Sequence, residues 1–198
     1  MRSMNKIAEY LTKHIKNNVP GLTDLQLIKI KFGLECLFSE ASKIIIYLFI
    51  FSFFSYTLEF ITVLMFFIVT RSFAGGYHEE TYWRCFTTTL AIFTAALYIG
   101  ISFQMAMPVK IILLLVSIIL AFIYAPVDHP NKPIISTDRR KRLKYLSVIM
   151  IIILGLISFI LPDRYSNIAI MSILAEALSL IPGYLKKSDK NLFCREAK

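Results

Sequence analysis

The side chains best equipped for chemistry lie in one short stretch, Arg71-Ser72-Phe73-Ala74-Gly75-Gly76-Tyr77-His78-Glu79-Glu80-Thr81-Tyr82-Trp83-Arg84-Cys85. It holds one of three histidines, one of three cysteines, two arginines, a glycine pair and the sole tryptophan. A cysteine activated by a neighbouring imidazole is a common arrangement for covalent acyl transfer. In a continuous helix His78 and Cys85 would share a face but stand about 10.5 Å apart, too far for proton transfer. They can meet only where the chain bends, and Gly75-Gly76 supply residues that tolerate such a turn. A helix opening near Tyr82 would put Cys85 in its first turn, where free amides and the positive end of the helix dipole favour a thiolate. Arg71 and Arg84 push the same way. The plainer reading keeps His78 and Arg84 as interfacial residues, Trp83 as an anchor and Cys85 as a small apolar side chain. Glu79 and Glu80 could orient His78 or simply favour the dipole of the following helix.

Two further features could contribute. Ala125-Pro126-Val127-Asp128-His129-Pro130-Asn131-Lys132-Pro133 carries three prolines that stiffen a loop and stop the helix before it. Within it Asp128 could orient His78, and His129 is a rival base with no cysteine near it in sequence. Lys132 and Arg139-Arg140-Lys141-Arg142 read first as membrane anchors, and second as a basic surface that an acidic peptide would meet. Glu176 stands deep in an apolar run with Ser172 and Ser179 on its helical face, and an ionisable group at that depth is costly enough to suggest a function. Glu59 reads as interfacial. Cys36, Cys194 and His14 fit surface or packing roles.

The elements that must position these groups are membrane spans. The chain has 198 residues, 57% hydrophobic and only 18% charged, against about 25% charged for a soluble domain. Apolar runs cover Ile44 to Thr70, Phe86 to Met107, Ile111 to Ala125, Leu146 to Leu161 and Ile168 to Ile181. Roughly 20 apolar residues cross a bilayer, so the first run is either one tilted helix or a hairpin turning near Tyr56, Thr57 and Leu58. Lys and Arg concentrate on the cytoplasmic side of membrane proteins. The hairpin places 20 of them on one side, leaving Lys110 and Arg164 on the other, whereas a single span divides them 13 to 9. Six spans are therefore expected, with both termini and residues 71 to 85 facing the cytoplasm.

The net charge of +9 does not indicate nucleic acid, because the basic residues sit between apolar runs rather than on a soluble face. They are placed to meet anionic lipid. Residues 1 to 42 differ from the rest and do not form the single hydrophobic block of a secretory signal. Asn5 to Ile15 puts Ile7, Tyr10, Leu11 and Ile15 on one helical face, and Pro20-Gly21 then interrupts the pattern. Thr23-Asp24-Leu25-Gln26 has the form of a capping box that opens a second helix with Leu25, Ile28 and Phe32 on one side. These helices are expected to lie on the inner surface, either covering the bundle or docking a partner peptide. The organisation is thus 1–42, N-terminal amphipathic helices; 43–182, a transmembrane catalytic domain; and 183–198, a cytoplasmic basic tail. The class is all-α, a polytopic helical bundle. Cys36, Cys85 and Cys194 have no CxxC spacing, so neither a disulfide framework nor a zinc knuckle is indicated.

Arg71, Gly75-Gly76, His78 and Cys85, followed after two spans by the Ala125 to Pro133 motif, resemble the accessory gene regulator B family of bacterial membrane endopeptidases, which process a quorum-sensing precursor peptide. The resemblance runs from the N-terminal amphipathic region to the last span. It implies that Cys85 is the nucleophile and His78 its general base, with Arg71 and Gly75 supporting the site. It also implies a homodimer.

The function so read is a cytoplasmic-face cysteine endopeptidase that forms an acyl-enzyme on the precursor and closes it to a thiolactone or lactone, without cofactor or metal. Asp128 and Lys132 are its further candidate supporting or substrate-binding residues. A small transporter or peptide exporter coupled through Glu59 and Glu176 is the alternative, but such proteins usually carry repeated halves and no convincing repeat is visible. A metal protease using His78, Glu79 and Cys85 would lack HExxH and fall short of zinc ligands.

Overall fold

The computed structural model describes residues 2–19, 21–76, 81–127 and 136–196. Within them are seven helices: α1 (Arg2–Asn18), α2 (Asp24–Phe53), α3 (Thr57–Ala74), α4 (Tyr82–Ser102), α5 (Met107–Tyr124), α6 (Thr137–Ile160) and α7 (Asp163–Glu196). Helices α2 to α7 are each long and apolar enough to span a membrane, so the chain is an all-helical, multi-pass membrane protein.

The capping box at Thr23 is present. The Gln26 N–H donates to Thr23 Oγ1 at 3.3 Å, and the Thr23 N–H donates to Gln26 Oε1 at 2.8 Å. The helix it opens does not stop as a short surface element. It continues for 30 residues into the first span, so position 42 falls inside α2. Its packed face also differs from the expected one: Leu25 and Ile28 are exposed, while Leu27 and the Ala8 methyl of α1 are buried. The long Ile44 to Thr70 run does turn back, at Phe54 to Tyr56. Ser55 there takes a left-handed φ of 64°, and the Tyr56 N–H closes the turn on the Phe51 carbonyl at 2.8 Å.

Lipid offers helices little hydrophobic reason to associate, so close packing and hydrogen bonds must hold them together. Helix α7 is central and packs against α3, α4, α5 and α6. A Cβ on Gly100 of α4 would lie 2.8 Å from the Ile168 Cα of α7, so only glycine allows that backbone approach. An aromatic cluster joins α2, α3 and α4, with Phe51 stacked on Phe60 at 4.8 Å and Phe67 edge-on to Phe93 at 5.0 Å. Buried Thr70, Ser117 and Ser172 return their hydroxyls to carbonyls of their own helices, which satisfies these three donors inside the apolar interior.

At one end of the bundle the first turn of α7 gathers the charges. Lys110 Nζ donates to Asp163 Oδ1 at 3.0 Å and to Ser166 Oγ at 3.1 Å. Arg164 meets Glu59 Oε1 at 2.7 Å. Glu59, in the first turn of α3 at this end of the bundle, is buried, with its charge met by Arg164. The two bases that the charge count assigns to the outer side each have an acid partner, so this end carries little net charge. The residues of chemical interest lie at the other end.

Candidate functional site

Cys85 sits where the sequence puts it, in the first turn of α4. Thr81 precedes the helix in an extended conformation, and the Cys85 N–H donates to its carbonyl at 3.0 Å. The thiol is free and half-buried. Helix α2 clamps this turn from three successive levels. Ser42 Oγ and the Tyr82 hydroxyl are hydrogen-bonded at 3.0 Å, and the Tyr47 hydroxyl donates to the Phe86 carbonyl at 2.8 Å. Between them, Lys43 Nζ donates to Cys85 Sγ at 3.2 Å.

Lys43 is the residue that sequence reasoning missed. It borders a long apolar run and reads there as one more positive-side anchor, yet its side chain is only 3% exposed. Its ammonium does not snorkel to water. It is held by Glu40, one turn earlier on α2, at 2.5 Å, and lies 5.8 Å from the centroid of the Tyr82 ring. Its one sequence signal is spacing, since Glu40 and Lys43 are an i, i+3 pair able to cancel each other on one helical face.

Arg71 and Gly75 fall at the end of α3. Arg71 Nη1 reaches across to α7, 3.1 Å from Glu176 Oε2 and 3.4 Å from Ser179 Oγ, while its guanidinium lies 5.5 Å from the Phe67 ring centroid. Ser179 donates to the same carboxylate oxygen at 3.0 Å. Glu176 is 1% exposed. Its depth is thus explained by a positive partner and a hydroxyl, and it belongs to this end of the bundle. The other oxygen, Oε1, is buried without a hydrogen-bond partner among the described residues.

The glycine pair is stacked directly on this ion pair. Gly75 has φ 77° and Gly76 φ 156°, and the Gly75 N–H caps α3 on the Arg71 carbonyl at 2.9 Å. A Cβ on Gly76 would lie 2.4 Å from Arg71 Nη1 and 3.1 Å from Glu176 Oε1. The Val127 N–H donates to the Ala74 carbonyl at 2.9 Å, and Gly75 and Val127 form a short parallel bridge. The two sequence motifs therefore meet: the end of α3 is tied to the loop that follows α5. His78, Glu79, Glu80, Asp128, His129 and Lys132 lie outside the described residues.

Compared with known proteins, the chain matches the family profile described as Accessory gene regulator B over residues 4–180. It is 30% identical over 189 residues to the accessory gene regulator protein B of Staphylococcus haemolyticus (strain JCSC1435), covering 93% of this chain and 97% of that protein. The protein of the same name from Staphylococcus aureus (strain Newman) is 27% identical over 188 residues, with 93% and 96% covered. No solved structure matches the chain.

Proposed function

Because the chain belongs to the accessory gene regulator B family, we propose that it processes the precursor of an autoinducing peptide as a cysteine endopeptidase of the cell membrane. The observation that carries this reading is the position of Cys85, a free thiol in the first turn of α4, where helix amides and dipole stabilise an attacking sulfur anion.

In the proposed reaction His78 takes the thiol proton and the sulfur attacks a precursor carbonyl. A carbon–sulfur bond forms, the peptide carbon–nitrogen bond breaks, and the leaving amine carries away the proton from His78. The resulting thioester keeps most of its acyl-transfer potential. A thiol or hydroxyl within the precursor then attacks it, forms the thiolactone or lactone, and returns its proton to the Cys85 sulfur. Ring closure needs no ATP, because one activated acyl bond replaces another, and the uphill exchange of amide for thioester before it is pulled forward by loss or degradation of the released tail. Water is the competitor, and a site seated between helix ends limits its access while holding the internal nucleophile at high effective concentration. Arg71 and Gly75 support the loop that leads to His78. Asp128 is a third member that orients His78, and Lys132 contacts the precursor. The site faces the cytoplasm and works in a homodimer.

The experiment is to trap the intermediate. Purified protein mixed with precursor peptide should acquire the mass of the acyl fragment, and peptide mapping should locate it on Cys85. Cleavage by a Cys85→Ala variant, or an adduct on another residue, would remove the reading.

A further inference from the structure

Lys43 holds a position that the proposed reaction has not used. Its ammonium is 3% exposed and donates to Cys85 Sγ at 3.2 Å across 42 residues of chain. Burying an ammonium is expensive unless its charge is met, and among the described residues the Glu40 carboxylate and the cysteine sulfur meet it. Glu40 is half-exposed, so it can exchange its share of the ammonium with water. The sulfur, set against the buried end of the same side chain, is the partner that the packing protects. Among the described residues, the ionisable groups facing this pair are Glu40 and Tyr47 from α2 and Tyr82 from α4.

We propose that Lys43 is a catalytic residue of the cysteine site, a permanent ammonium that stabilises negative charge on the Cys85 sulfur each time the sulfur carries it. The proposal rests on the reading of Cys85 as the nucleophile. Charge resides on the sulfur twice in that reaction, before attack on the precursor and again when the sulfur is expelled by the internal nucleophile. A cation at hydrogen-bond distance favours both states, since it lowers the energy of the anion and improves it as a leaving group. Lys43 takes and gives no proton. That remains the role of His78, and the balance of the reaction is unchanged. The arrangement explains why α2 grips the first turn of α4 through Ser42 and Tyr47 on either side of Lys43: the two bonds fix the helices at the register that brings ammonium to sulfur.

The test separates this from the peptidase reading, because it needs no peptide. In full-length protein lacking the other two cysteines (Cys36→Ala, Cys194→Ala), the rate of Cys85 alkylation by iodoacetamide is followed against pH. Lys43→Met should slow alkylation about tenfold at neutral pH and move the profile about one unit upward, the scale for losing one adjacent charge. Lys43→Arg should recover most of the rate. Glu40→Gln removes the competing anion at an exposed position and should move the profile downward, and by less when Lys43→Met is also present, a coupling that a packing role for Lys43 would not produce. If Lys43→Met does not reach the membrane, Lys43→Gln takes its place in both comparisons. An unmoved profile in Lys43→Met, or in Glu40→Gln, overturns the proposal. Normal alkylation shifts with no precursor cleavage by the wild type would instead overturn the peptidase reading and leave the Lys43–Cys85 pair standing.

Discussion

Gly75 and Val127 are so close that a Cβ on Gly75 would lie 2.2 Å from the Val127 carbonyl oxygen. The backbone between α3 and α4 thereby rests directly on the loop after α5. Gly75 also has φ 77°, where a side chain is strained whatever the space. Gly75→Ala should therefore displace one loop from the other. We expect precursor cleavage to fall at least tenfold, with the protein still inserted in the membrane, measured by peptide turnover against protein level. Full activity would mean that the contact does not position the site.

Arg71 and Glu176 should behave as one unit. Removing either partner of a buried pair leaves an uncompensated charge, at a cost of about 3–5 kcal/mol where burial is complete. Arg71 is 22% exposed, so its loss should cost less than that. Arg71→Met and Glu176→Gln should each lower the thermal unfolding midpoint in detergent. The double variant should lose less than the two effects added, with a coupling of about 1–3 kcal/mol. Strict additivity would sink the pairing.

Cys85→Ala and His78→Ala should each abolish cleavage without loss of membrane insertion, since a nucleophile and its base fail together. Cys36→Ala and Cys194→Ala should stay active. Activity in Cys85→Ala, or loss of wild-type activity with chelators, would point to metal chemistry instead.

Because the proposed thioester is exchanged for a bond of similar energy, ring closure should run backwards. Enzyme incubated with cyclic product and the cleaved tail peptide should re-form full-length precursor, detected by mass spectrometry. If only hydrolysed linear peptide ever appears, the protein is a simple protease and the ring-closing function is wrong.

The distribution of Lys and Arg predicts that both termini and residues 126 to 145 face the cytoplasm. Cysteine-accessibility labelling or reporter fusions should find residues 103 to 106 on the opposite side. An external location for 126 to 145 would reverse the bundle and take Cys85 off the cytoplasmic face.

Much of this molecule was legible in the chain because the determining physics is local. Span length, the separation of Lys110 and Arg164 from the other bases, the Thr23 capping box and the start of α4 at Tyr82 depend on residues within a turn or on the thickness of lipid. From these follow the helical class, the six spans and the first-turn position of Cys85. The pairings were not legible. Lys43 with Cys85, Arg71 with Glu176 and Gly75 with Val127 join helices distant in sequence, with separations of 42 and 105 residues for the first two. Their existence depends on how helices rotate and slide against one another. That register is set by contacts such as Gly100 on Ile168 and Phe51 on Phe60, which no periodicity encodes. A lysine bordering an apolar run carries the same sequence signal whether it anchors in lipid headgroups or turns inward to a sulfur, and only the packing of α2 against α4 decides which.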